Sequence, residues 1–84
     1  MQGYIVECYV PKAKSDEFSA VRARARAAAR GMTREGIPVR YLRSILIPED
    51  ETCFHVFEGP SADVVGEVSR RAALTYERIV EAMQ

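Results

Sequence analysis

The chain has 84 residues, which makes one domain (residues 1–84) near the lower end of what folds alone. Its apolar fraction of 48% allows a compact but small core, one that a second subunit would help. Lysine plus arginine number 12 and aspartate plus glutamate number 12, so net charge gives no reason to expect nucleic acid or an anionic membrane as partner.

The chain opens with Gln2 and Gly3 running straight into a strand pattern, so no secretory leader is expected. No apolar run approaches the ~20 residues needed to cross a bilayer, and a soluble, cytoplasmic protein is the expectation. Tyr4 to Val10 (YIVECYV) is β-branched and aromatic, stops at Pro11, and reads as a strand. Ser15 is the predicted N-cap of a helix, with Asp16 and Glu17 in its first turn. Phe18, Val21, Ala25, Ala28 and Met32 recur at helical spacing, and Gly36 and Pro38 end the element. Val39 to Ile47 is a second strand and Thr52 to Glu58 a third, joined by the polar turn Pro48-Glu49-Asp50-Glu51 as a hairpin. Gly59 and Pro60 break the chain, Ser61 caps a second helix with Val64, Val65, Val68 and Ala72 facing inward, and Tyr76 to Met83 is a last strand.

The order β-α-β-β-α-β predicts an α+β, ferredoxin-like fold: a four-stranded antiparallel sheet with two helices on one face. The other sheet face must then be wet, covered by a partner, or used as a pocket floor. Hydrophobicity assigns the strand faces, because successive side chains alternate. Val6, Cys8 and Val10 form the purer set of the first strand, Phe54 and Val56 that of the third, and Leu42, Ser44 and Leu46 oppose Tyr41, Arg43 and Ile45 in the second. With the purer sets placed under the helices, Glu7, Tyr9, Tyr41, Arg43, Cys53 and His55 gather on the open face, beside Ile5, Ile45 and Phe57. A half-apolar face with convergent polar groups suits a dimer interface or a ligand pocket.

Each of these features also has a plainer meaning. A lone strand histidine is commonly a satisfied structural residue, and Glu7 with Arg43 makes an ordinary cross-strand ion pair. On this parity Cys8 and Cys53 lie on opposite faces, which disfavours a disulfide, and Cys8 is a small core residue. Arg22, Arg26, Arg30 and Arg34 recur every four residues, with Arg24 beside them; this is the ordinary exterior of an amphipathic helix. The third strand lacks the basic-glycine-aromatic motif with which RNA-binding versions of this architecture stack bases. The acidic turn Glu49-Asp50-Glu51 lacks calcium-loop spacing and reads as a solvated hairpin tip.

The segments YIVECYVP, VRYLRSILIPEDETCF, FEGPSADVV and RRAALTYERIVEA together resemble, nearly end to end, a family of small bacterial single-domain proteins of unknown function. That family has a dimeric ferredoxin-like fold, and some members are described as nickel-binding. The resemblance implies a homodimer and binding of nickel or another divalent transition metal. The chain departs from the family pattern at His55, where cysteine is common, and at Cys8, where arginine is common. Imidazole suits nickel, copper and zinc, and Cys53 and His55 lie roughly 6–7 Å apart along one strand, near enough to share an ion. Glu7 or another subunit would supply the third ligand.

Two functions therefore compete at this stage. The first is a small dimeric metal-binding module, in nickel sequestration or sensing, with His55, Cys53 and Glu7 as ligands. The second is a cofactor-free enzyme of isomerase, cyclase or monooxygenase type, holding a small hydrophobic, polyketide-like substrate on the open sheet face. There His55 would be acid or base, Tyr9 and Tyr41 hydrogen-bond donors, Arg43 a partner for developing negative charge, and Glu7 an orienting group or alternative base.

Overall fold

The computed structural model describes residues 1–83. Its strands are β1 (Gln2–Tyr9), β2 (Arg40–Ile47), β3 (Thr52–Gly59) and β4 (Tyr76–Ala82), with helices α1 (Phe18–Arg34) and α2 (Ala62–Arg71). All pairings are antiparallel and the sheet order is β2-β3-β1-β4, the ferredoxin-like arrangement expected from the element order. None of the described helices is long and apolar enough to cross a membrane.

Local chemistry explains most boundaries. Ser61 Oγ accepts a hydrogen bond from the Val64 amide at 3.2 Å, as an N-cap should, and Val65, Val68 and Ala72 are buried beneath α2. α1 ends where Gly36 takes φ +93°, a left-handed conformation that glycine adopts without a Cβ clash. Its start differs from the expectation. Ser15 lies inside a 3-10 segment (Lys12–Glu17), where its hydroxyl donates to the Lys12 carbonyl at 2.9 Å, and the helix begins three residues later without a side-chain cap. The hairpin tip is tied down from outside: the Glu51 carboxylate accepts from the Lys12 amide at 2.7 Å, so this acidic residue anchors the β1–α1 connection.

The core lies between the helices and one sheet face. It holds Val6, Met32, Phe57, Val65 and Val68, all fully buried, with Ala25 and Ala29 letting α1 approach the strands. β1 has the predicted parity: Tyr4, Val6 and Cys8 point inward, whereas Ile5 and Glu7 are half-buried and Tyr9 is exposed. β3 has the opposite parity to that predicted. Cys53, His55 and Phe57 are buried under the helices, and Phe54 and Val56 face away. Register is the physical reason. Val6 stands opposite His55, Cys8 opposite Cys53 and Tyr4 opposite Phe57, and cross-strand partners share a face, so an inward Val6 turns His55 inward. In β2 the register shifts between Tyr41 and Arg43, so Tyr41, Ser44 and Leu46 pair with the inward residues Phe57, His55 and Cys53, while Arg43 and Ile45 face out. A β-bulge at Leu42 thus moves Tyr41 to the face opposite the one expected.

Candidate functional site

Of the residues expected to share the open face, Glu7, Tyr9 and Arg43 are there, and Tyr41, Cys53 and His55 are on the other side of the sheet. Glu7 is therefore separated from Cys53 and His55 by the backbone of the sheet and cannot complete a site with them. Its carboxylate accepts instead from Arg78 of β4 at 2.9 Å, not from Arg43. Arg43 is on β2, which β3 separates from β1, and it stands opposite Val56 whereas Glu7 stands opposite Phe54, so the two are not cross-strand neighbours.

What the inner face assembles is a continuous line of polar atoms. The Tyr41 hydroxyl lies 2.6 Å from Ser44 Oγ, and Ser44 Oγ lies 2.6 Å from His55 Nδ1. Cys53 Sγ lies beside the ring, 3.5 Å from Nε2 and 4.0 Å from Nδ1. Cys8 faces Cys53 directly across the β1–β3 ladder, and both are free thiols. The line is self-consistent in either direction. Tyr41 can donate to Ser44 and Ser44 to Nδ1, or Nδ1–H can donate to Ser44 and Ser44 onward to Tyr41. Either orientation pairs the imidazole Nδ1 with the Ser44 hydroxyl and leaves Nε2 in contact with Cys53, which is why a histidine 1% exposed is tolerated here.

Burial sets the protonation states. Desolvation pushes the His55 pKa down to about 4, so the imidazole is neutral at neutral pH. The thiols move the other way: burial raises Cys53 to about 11, and burial together with the neighbouring Cys53 raises Cys8 to about 12. At neutral pH the imidazole and both thiols are therefore uncharged.

Two adjoining cavities lead to it. One, of about 400 Å³, lies between the β1–α1 segment (Pro11, Lys14), α1 and the α2–β4 turn, and includes Cys53 in its lining. A smaller one, of about 60 Å³, touches Cys8 and His55, and both share Tyr9, Val21, Arg24 and Thr75. Arg24 braces this entrance by donating to the Ala72 carbonyl at 2.9 Å.

As a metal centre the cluster is half built. Two thiols and a neutral imidazole are the donor chemistry that nickel, copper and zinc accept. Among the described residues, however, no group of three His, Cys, Asp or Glu side chains is arranged to hold a metal ion. Cys53 and His55 are the pair in contact, and further ligands would require Cys8 to turn toward them or another copy of the chain to contribute.

Ser44, bonded to both Tyr41 and His55, is the member of this line that hydropathy did not single out. Its signal was present: a hydroxyl between Leu42 and Leu46 in an apolar alternation needs a buried partner, and only the register names that partner as His55.

Comparison with known proteins fits this picture. No curated protein matches the chain. The crystal structure of SCO4226 from Streptomyces coelicolor A3(2) superposes with a TM-score of 0.80, covering 98% of this chain and 96% of that one, at 20% sequence identity. That likeness shows the fold. The model of the family described as nickel responsive protein SCO4226-like matches residues 4–82, nearly the whole chain. The chain therefore belongs to the SCO4226-like family of nickel responsive proteins.

Proposed function

We propose that this protein binds a divalent transition ion, nickel foremost, and acts as a homodimer in cytoplasmic metal sequestration or sensing. Family membership points to nickel, and one structural observation carries the reading to particular atoms: the Cys53 Sγ and His55 Nε2 contact beside a cavity. A neutral imidazole is ready to coordinate, whereas each thiol must lose a proton first. Affinity consequently rises with pH, because proton release accompanies binding. A homodimer is supported by the open sheet face, where Ile45 is 49% exposed and Ile47 37%, next to half-buried Ile5, Phe54 and Val56.

Calorimetric titration with nickel tests the assignment. Wild type should bind with affinity that increases from pH 6 to pH 8, and Cys53→Ser and His55→Gln should each weaken binding roughly tenfold or more, the scale of losing one ligand interaction. Nickel affinity unchanged in both variants would remove this pair from the metal site.

The enzyme reading is favoured by a different observation, the hydrogen-bonded line from Tyr41 through Ser44 to His55, which can relay a proton between the phenol and the imidazole. In that reading the substrate would enter the cavity on the helix side, which Tyr9 also lines, while Glu7 and Arg43 lie on the opposite sheet face. Turnover lost in Ser44→Ala but kept in Glu7→Gln would identify it.

A further inference from the structure

The arginines of α1 divide into two groups. Arg24 is spent on the Ala72 carbonyl, and the Arg22 guanidinium lies over the Phe18 ring at 5.5 Å. Arg26, Arg30 and Arg34 line a cleft of about 440 Å³ between α1 and the edge strand β2, and Arg40 reaches it from β2. Four guanidinium groups thus border one concavity, and no carboxylate lines it. Glu58 pairs with Arg40, and Glu35 with Arg71. Among the described residues the ion pairs use Arg40, Arg70, Arg71 and Arg78, and none uses Arg26, Arg30 or Arg34.

Like charges four residues apart on a helix repel one another. Arg34 is partly compensated, because it sits in the last turn, where the helix dipole favours a cation. Arg26 is held by the Tyr41 ring, its guanidinium 5.4 Å from the ring centre. Arg30 has no such compensation. The floor between the charges is apolar, made by the buried Ala29 and Val39. A cleft of this size matches a small organic molecule rather than a single inorganic ion. Guanidinium forks match the oxygens of a phosphate group.

We propose that the α1–β2 cleft binds a small phosphate-bearing organic molecule, with Arg26, Arg30, Arg34 and Arg40 around the phosphate and Ala29 and Val39 beneath its organic part. A nucleic acid is the less suitable ligand, since the chain carries as many acidic as basic residues, and Arg43, also exposed and outside the ion pairs, lies apart from this cleft on the open sheet face. The site is independent of nickel, though it meets the buried polar line at Tyr41.

Calorimetry on the full chain with ADP as probe, and with adenosine and a thymidine oligonucleotide as comparisons, tests the proposal. ADP should bind, adenosine should not, and the double variant Arg30→Gln/Arg34→Gln should weaken ADP binding roughly tenfold or more. Arg70→Gln, on α2, should leave ADP binding unchanged. Both substituted positions in the double variant are exposed, so its thermal midpoint should match wild type and serves as the folding check. Absence of ADP binding, equal binding by the double variant, or tighter binding of the oligonucleotide would each overturn the proposal.

Discussion

The two faces of β3 invert the usual distribution of polarity. The inner face carries Cys53 and His55 next to Phe57, all buried, and the outer face carries Phe54 and Val56. The inner polar groups are tolerated because the imidazole meets Ser44 on the neighbouring strand β2 and the Cys53 thiol on its own strand. The outer apolar groups have no covering element in one chain. What separates the faces is thus satisfaction of hydrogen bonds rather than hydropathy. A strand between two apolar environments leaves little alternation for hydropathy to read.

The strongest way to break this comparison is to truncate the same residue type on each face. Phe57 is fully buried, so Phe57→Ala should cost about 3–5 kcal/mol, whereas Phe54→Ala on the outer face should cost far less. Urea unfolding of both variants decides it. Equal losses would mean that the outer face is as tightly packed as the core.

The second test uses acid. His55 has a folded pKa of about 4 against an ordinary 6.5, so below pH 6.5 the unfolded chain takes up a proton that the folded chain refuses. Stability is therefore full above pH 6.5 and falls as pH drops, with the loss complete near pH 4 and amounting to about 3 kcal/mol for the metal-free protein. His55→Gln should flatten the curve between pH 6.5 and 4. An unchanged slope in the variant would show that carboxylates elsewhere govern acid sensitivity.

The smallest expected effect on the chain itself comes from the outer face of the edge strand. Ile45→Lys places a charge where the side chain is half exposed, and should change unfolding by about 0.5 kcal/mol or less when measured on dissociated chains. Its effect on association should be complete: sedimentation should find dimers for wild type and monomers for the variant. Dimers that survive the lysine would place the interface elsewhere.

The sequence by itself determined the element order, both helix faces, the Ser61 cap, the parity of β1 and, through its family segments, the nickel-responsive family. These follow from local signals: helical spacing of Val65 and Val68, an N-cap hydroxyl, and strands bounded by Pro11 and Pro60. Tertiary structure alone decided which side His55 occupies. Both side-chain sets of β3 are largely apolar, and only pairing with β1, whose Val6 is committed to the core, selects between them. The bulge at Leu42 then brought Tyr41 and Ser44 to the same face, and no one-strand periodicity contains that shift. A strand's periodicity is encoded along the chain, whereas its facing depends on neighbours fixed by long-range register.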